Sequence, residues 1–479
     1  MMSIESSQNT ISRRAMLQSA TCGFGTLALS TLLNDSASAA TDSLVAKRPH
    51  FPAKAKRVIF VFLFGGPSHI DMFDYKPRLK AESGKPPTFK LDLIDEGLEN
   101  SKLLGPLSGF RRVGQAGLWM TDRLPYLAEQ ADELCILKAM HTDTPAHATA
   151  INHLYTGTPF FVWPSMGAWV LYGLGTENQN VPGFVTVCPI VGMNGSSPKH
   201  YGSAFLPAIY QGTPIGNSRT PASKASIRHL ANPHIPKDVQ AWQLEHTLSL
   251  NRRHRARVGE DSRLDGLIRS FELAFRMQSE VPDLLSPTGE SNETLELYGI
   301  DKQPTDNFGR QCLMARRFLE TGVRFVQVSH PGWDAHSGII QSFPKQCAEV
   351  DKPIAGLLAD LKMRGMLDDT LVICAGEFGR TPFDQDISAG KNLENIGRAH
   401  NRHGYSVWLA GGGVKGGMSH GETDEYGHKG VVDRVHVHDF QATILHLLGL
   451  NHEKLTYRHS GRDFRLTDVH GSVVREILA

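Results

Sequence analysis

The chain has 479 residues, with 50 Lys and Arg against 49 Asp and Glu for a formal net charge of +1, and 40% hydrophobic residues against 21% charged. That balance is a globular protein's: it lacks the positive field of a general nucleic-acid binder, and 46 Gly with 26 Pro is too moderate for a collagen-like or disordered chain. The uneven feature is histidine, since twelve of the 22 lie between His330 and His470, so ligands and proton carriers are concentrated late in the chain.

Residues 1–39 read as an export signal. Arg13 and Arg14 precede an apolar run from Ala15 to Leu33 that Gly23 and Gly25 interrupt, and Ala37-Ser38-Ala39 suits signal peptidase. The run is too polar for a comfortable membrane span, so no stable span is expected in the mature chain. Ser-Arg-Arg-x-x-Leu resembles the twin-arginine (Tat) signal, which makes the Tat export machinery the expected partner and the location periplasmic or secreted. Export removes Cys22. Cys135, Cys188, Cys312, Cys347 and Cys374 remain, widely spaced and without a CxxC pair, and are expected as buried apolar residues rather than a disulfide framework or a structural zinc site.

The first strand is expected at Val58 to Phe64, an unbroken apolar run of the kind buried on both faces of a parallel sheet; it ends in GGPSHIDMFD. A second such run, Leu134 to Met140, is followed by HTDTPAHATAINHLYTGTP. Residues 160–238 are punctuated by Gly and Pro without clear periodicity and read as a loop-rich insertion within a single domain over 40–479. From Val239 to Glu280 the chain is polar and helical, with Leu264, Leu267, Ile268, Phe271, Ala274 and Phe275 forming an amphipathic stripe. The neighbouring Arg252, Arg253, His254, Arg255 and Arg257 read as a solvated face, because Glu260, Asp261 and Asp265 follow at once.

The C-terminal half alternates. Helix Phe308 to Glu320 leads into strand VRFVQVS, helix Val350 to Leu361 into strand TLVICAG, and YSVWLAGGG follows as a further strand. This spacing predicts an α/β fold with a mainly parallel central sheet. The tail GRDFRLTDVHG reads as a surface hairpin, and Gly65-Gly66 and Gly411-Gly412-Gly413 as tight turns, since neither has the order of a phosphate- or dinucleotide-binding loop.

In such sheets reactive residues gather at the carboxyl edge. His69, Asp71 and Asp74 follow the first strand; His330, Asp334 and His336 follow VRFVQVS; Glu377 follows TLVICAG; His400 and His403 precede YSVWLAGGG. Four segments that deliver carboxylate and imidazole to one edge point to a metal centre of Asp71, Asp334, His336, Glu377 and His400 or His403, with structural hydrogen bonding as the alternative. Such a mixture suits zinc, manganese or iron, or magnesium or calcium where oxygen ligands dominate, as one or two divalent ions. His420, His428, His436 and His438 read as solvent-facing or hydrogen-bonded residues, with a second metal cluster as the alternative.

GGPSHIDMFDYKP, ELAFRMQ, CLMARRFLETGVRFVQVSHPGWDAH, GEFGRTP, LAGGGVKGG, HDFQATILHLLGL and GRDFRLTDVHG resemble the Tat-exported proteins of domain-of-unknown-function family 1501, in order and over essentially the whole mature chain. The resemblance implies the alkaline-phosphatase-like (sulfatase-like) superfamily, a three-layer α/β/α sandwich with a two-metal hydrolytic site. By that resemblance Asp71 matches the opening metal-binding aspartate, and Asp334 with His336 a second ligand pair in closer spacing than usual. Glu377 stands where an Asp-His pair is usual, which puts Phe378 in a ligand position, and His400 or His403 would supply the missing imidazole. HDFQATILHLLGL matches a structural D-x-x-P-T-x-L segment with Ala442 in place of Pro. A Cys, Ser or Thr nucleophile belongs nine residues before the Thr-Gly of Thr156-Gly157-Thr158-Pro159; here that residue is His147. A shifted alignment would bring Thr142, Thr144 or Thr149 there, and Thr144 is carried as a catalytic candidate. The formylglycine motif C-x-P-x-R is absent.

The implied activity is metal-dependent hydrolysis of phosphate or sulfate esters, carbohydrate esters among them, with metal-activated water replacing the protein nucleophile. His147 would protonate the leaving oxygen, or act as ligand or nucleophile. Arg380 would brace the anion, or hold its loop through a salt bridge. The alternative from another class is a non-catalytic protein of the same fold that binds glycan or a cell-surface partner.

Overall fold

The computed structural model describes residues 44–89, 101–227, 230, 234–259, 262–385 and 395–479; the export signal at 1–39 lies outside them. The strands that position the site are β1 (Arg57–Leu63), β2 (Leu134–His141), β3 (Phe184–Val187), β4 (Thr213–Ile215), β5 (Phe325–His330), β6 (Thr370–Ala375), β7 (Gly379–Asp384), β8 (Arg398–Asn401), β9 (Tyr405–Ala410), β10 (Met418–His420) and β11 (Val435–His436). Nine of them make one sheet in the order β10-β2-β9-β6-β1-β5-β3-β4, with β11 beside β2, while β7 and β8 pair as a separate antiparallel ribbon. The longer helices are α1 (His147–Thr156), α2 (Met166–Leu174), α3 (Lys237–Val258), α4 (Ser262–Leu285), α5 (Asp306–Glu320), α6 (Ile339–Met363) and α7 (Val437–Leu447).

β1 explains the layering. Its side chains alternate between faces, so Ile59, Val61 and Leu63 enter one core with Phe308, Cys312 and Leu319 of α5 and Val350, Ile354 and Leu357 of α6. Val58, Phe60 and Phe62 enter the other, with Ile151 and Leu154 of α1, Trp169 of α2 and Phe440 and Ile444 of α7. Each such side chain contributes about 1.5–3 kcal/mol by leaving water, and the unbroken apolar run follows from having helices on both sides. The result is a three-layer α/β/α sandwich. The sheet is mainly parallel: β1 runs with β5 and β6, and β3 with β4 and β5.

β9 is the exception, antiparallel to both β2 and β6. Its amino end therefore lies at the carboxyl edge of its neighbours. That reversal is what brings the segment before YSVWLA, with His400, to the edge where β1, β5 and β6 deliver their own residues.

The segment 160–238 is mostly loops and short turns, but it also contributes to the core architecture. It supplies helix α2 and strands β3 and β4, which extend the central sheet beyond β5. Strands of four and three residues are too short for a repeating hydrophobic pattern to register. Helix α6 begins at Ile339, eleven residues before the expected start, and runs through Pro344 and Pro353; its buried face outweighs the usual penalty of an interior proline. The polar region divides into α3 and α4, and Ile268, Phe271, Ala274 and Phe275 line one groove with Leu244 and Leu248 of α3. The tail segment GRDFRLTDVHG supplies one strand of a hairpin, Arg462–Phe464, whose partner Tyr457–His459 lies just before it. Cys135, Cys188, Cys312, Cys347 and Cys374 are all buried free thiols. Among the described residues no helix is long and apolar enough to cross a membrane.

Candidate metal centre

At the carboxyl edge one oxygen gathers three imidazoles. Oδ1 of Asp334, in the loop after β5, lies 2.9 Å from Nε2 of His336, 3.2 Å from Nε2 of His147 and 3.4 Å from Nε2 of His400. These four residues offer donor atoms that lie within 4.8 Å of one another. They come from three separate stretches: the start of α1, the loop after β5, and β8. His147 is buried, with 5% of its side chain exposed, whereas Asp334 and His336 are 38% and 37% exposed, so the cluster opens to solvent on their side.

A carboxylate and three imidazoles form a donor set that suits a divalent cation. The second layer of contacts prepares the nitrogens for one. Nδ1 of His147 donates to Oε1 of Glu377 at 2.6 Å, and Nδ1 of His336 is bonded to the side-chain oxygen of Gln385. A proton held on each Nδ1 leaves Nε2 with its lone pair toward Asp334. Nε2 of His147 is buried and makes no hydrogen bond despite its 3.2 Å approach to Asp334, an unsatisfied nitrogen at the point where a cation fits.

The turn after β1 frames this arrangement. The backbone N–H groups of Gly65 and Gly66 donate to Glu377 at 3.1–3.2 Å, and their carbonyls accept from Arg380. Gly65 has φ +119, and a Cβ there would stand 2.3 Å from the backbone nitrogen of Asp334, so only glycine lets the two loops approach this closely.

Electrostatics separates the members. Burial opposes a charge on His147, but the carboxylates of Asp334 and Glu377 outweigh it and raise its pKa to about 9. Burial acts against ionised Asp334 as well, yet the three imidazoles and the Arg380 guanidinium hold its carboxyl far below the usual range. His400 goes the other way: burial, with the nearby positive charge of Arg380, His147 and His336, lowers it to about 4 despite its bond to Asp334.

The other candidates lie elsewhere. Asp71 is fully buried and committed to Arg398, Nε to Oδ2 at 2.9 Å and a terminal nitrogen to Oδ1 at 3.1 Å, and it also accepts from Ser68 and the backbone of Leu107. The structure does not bring it to the cluster. Glu377 stands behind His147 and reaches the cluster only through it. Arg380 is completely buried, spending its nitrogens on the carbonyls of Gly65, Gly66 and Arg398 and on Asp334, so it is placed to hold these loops together rather than to grasp an anion. His403 packs near His428, and its carbonyl accepts from Gly430, outside the four-residue group. Thr144 bonds to Thr149 at 2.7 Å in the turn before α1. Both ring nitrogens of His147 are directed at carboxylates, which leaves neither turned outward toward a leaving group. Phe378, in the position where a ligand was expected, is buried against His147 and His400 at ring distances of 4.9 and 4.4 Å. Of the later histidines, His428 and His438 are buried, and His438 is hydrogen-bonded to the Gly157 carbonyl.

Sequence reasoning missed Arg398 and Gln385. Neither residue type carries a metal signal, and their roles depend on which side chain lies opposite, which spacing does not encode.

Comparison with solved structures gives distant likenesses. The chain is similar to the PsFucS1 sulfatase from Pseudoalteromonas sp. at 14% identity, over 90% of this chain and 72% of that one, with a TM-score of 0.35. It is similar to the lipoteichoic acid synthase LtaP from Listeria monocytogenes at 10% identity, over 88% and 78%, with a TM-score of 0.35. For the alkaline phosphatase from the Antarctic bacterium TAB5 the figures are 12%, 84% and 99%, with a TM-score of 0.30. No curated protein matches the chain. The family described as "Protein of unknown function (DUF1501)" matches residues 55–478, and the chain belongs to that family.

Proposed function

We propose that this protein is an exported, metal-dependent hydrolase of phosphate or sulfate esters, carbohydrate esters among its substrates, working at the Asp334 cluster. The observation that carries the reading is the convergence of His147, His336 and His400 on one oxygen of Asp334 at the open carboxyl edge. Those four residues would hold the cation, and three nitrogen donors to one oxygen favour a zinc-class ion over magnesium or calcium. When bound, the ion supplies polarisation of the ester's anionic oxygen and acidification of water. Asp334 provides the negative charge, and Arg380 fixes its orientation. Glu377 and Gln385 keep protons on the Nδ1 atoms of His147 and His336. Phe378 keeps water from the buried side of His147. The twin arginines and the Ala-Ser-Ala site support export by the Tat route, which carries proteins already folded.

The test is elemental analysis of the purified chain, followed by aryl phosphates and aryl sulfates with and without chelator. At least one equivalent of divalent ion is expected, with turnover that chelation abolishes and the ion restores. A protein without bound metal overturns the reading. Metal without turnover on any ester favours the binding protein, a reading that the missing hydroxyl or thiol at His147 supports.

Proton linkage gives a second check. His147, raised to about 9 in the metal-free chain, is protonated near neutrality and must lose that proton to become a ligand. About one proton per ion is therefore expected to be released between roughly pH 6 and 8, with affinity rising about tenfold per pH unit up to about 9. Calorimetry in two buffers of different ionisation enthalpy measures it; binding without proton release removes His147 from the ligand set.

A further inference from the structure

We propose that His153, His436 and His438, with the carboxylate of Asp143, form a second metal site that takes one divalent transition-metal cation of the zinc class, independent of the Asp334 centre. The three histidines meet where the carboxyl end of β2 lies beside β11, with Asp143 at their border, outside the three-histidine group and 3.9 Å from Nδ1 of His153. Asp143 follows β2, His436 closes β11 opposite His141, His438 lies in the first turn of α7, and His153 lies near the end of α1. His153 is six residues beyond His147, about 9 Å along the helix, so the two clusters occupy opposite ends of α1.

The three imidazoles each offer a nitrogen within 4.8 Å of the others. Nε2 of His153 is 3.2 Å from Nε2 of His438, and Nε2 of His436 is 3.1 Å from Oδ1 of Asp143. Donors on a tetrahedral ion with bonds of about 2.0–2.1 Å stand about 3.3 Å apart, so both spacings are those of ligand pairs. Two imidazoles in such contact cannot both be charged, and with His438 Nε2 donating to Gly157 the lone pair between them belongs to Nε2 of His153. Thr142 Oγ1, 3.2 Å from Nδ1 of His153, can hold a proton there and turn Nε2 toward the others.

Metal-free, the same groups make weaker arrangements: Nε2 of His438 bonds to the carbonyl of Gly157 at 2.9 Å, and Nδ1 of His436 accepts the backbone N–H of His438 at 3.3 Å. Nδ1 of His438 is buried without a partner, so these hydrogen bonds do not satisfy the cluster. Loading exchanges three bonds for coordination, those to Gly157, between His436 and Asp143, and from the His438 backbone N–H to His436, with the Nε2 protons of His436 and His438 moving to their Nδ1 atoms. Three imidazoles are gathered already, and the exposed Asp143 side chain would turn in to close the fourth position, which gives the pattern of a structural site that clamps α1 to α7.

The experiment uses the untagged full chain carrying Asp334→Asn, which disables the first centre and makes the result independent of the proposed activity. Zinc is added, excess removed by gel filtration, and the bound ion counted; cobalt then reports the coordination by its visible absorption. One equivalent is expected to remain, with a tetrahedral cobalt spectrum and a raised melting temperature. Asp143→Asn, at a side chain 60% exposed, and His436→Gln are each expected to weaken zinc by at least about tenfold, with circular dichroism confirming the fold. A hydrogen-bonded histidine network only, seen as no retained ion or as retention that neither substitution alters, overturns the proposal.

Discussion

Asp334→Asn is expected to empty the Asp334 centre and to lower ester turnover by more than about a hundredfold, since even partners outside the ligand set cost about 10–100-fold. The substitution keeps the shape and removes the charge. The imidazole nitrogens then face a neutral amide, and no carboxylate within the four-residue group balances the cation. The loss also reaches Arg380, which is buried and has Asp334 as its carboxylate partner, though its bonds to Gly66 and Arg398 at 3.0 Å persist. Because Asp334 is 38% exposed, the stability cost is held to about 1–3 kcal/mol, too little to unfold the chain. Glu377→Gln is the informative comparison. Glu377 touches Nδ1 of His147 and the turn amides, so its loss should weaken the ion about 10–100-fold without abolishing it. Metal content and kcat/KM of the two variants decide the order: equal and complete loss in both would make Glu377 a direct ligand.

The contrast between those two carboxylates shows what was legible in the sequence. Asp334, His336 and His400 were readable because apolar runs betray strands, and strand ends in a parallel sheet share one edge. His147 came from its distance to Thr156-Gly157, and its position at the start of α1 puts it at that edge. Which of these residues enter the cluster and which stand behind it was not readable. Glu377, Asp71 and Arg380 all follow strands, yet each is taken up by a particular neighbour: the Gly65-Gly66 amides, Arg398, and the turn carbonyls. Such pairings are settled in three dimensions. Strand direction was equally silent, because an apolar run such as YSVWLA reads the same whether it joins its neighbours parallel or antiparallel. Its reversal nonetheless determines that His400 enters the cluster.

Asp71 provides the sharpest separation between the two readings of a buried carboxylate. The Asp71–Arg398 pair has no exposed side-chain surface on either partner and bonds in bidentate fashion at 2.9 and 3.1 Å. Arg398 continues to the carbonyls of Leu104, Gly105 and Thr381, so one guanidinium ties the segment after residue 100 and the β7–β8 ribbon to the turn that holds Asp71. Removing one partner leaves a desolvated charge. Asp71→Asn and Arg398→Met are therefore each expected to cost about 3–5 kcal/mol in denaturant unfolding. The double variant should cost clearly less than their sum, since the second change relieves the charge that the first exposes. Bound metal should remain in Asp71→Asn wherever the chain is folded, because Asp71 lies outside the group at Asp334. A protein that loses its ion on Asp71→Asn while keeping its stability would restore Asp71 as a ligand and require the pair with Arg398 to open when the ion binds.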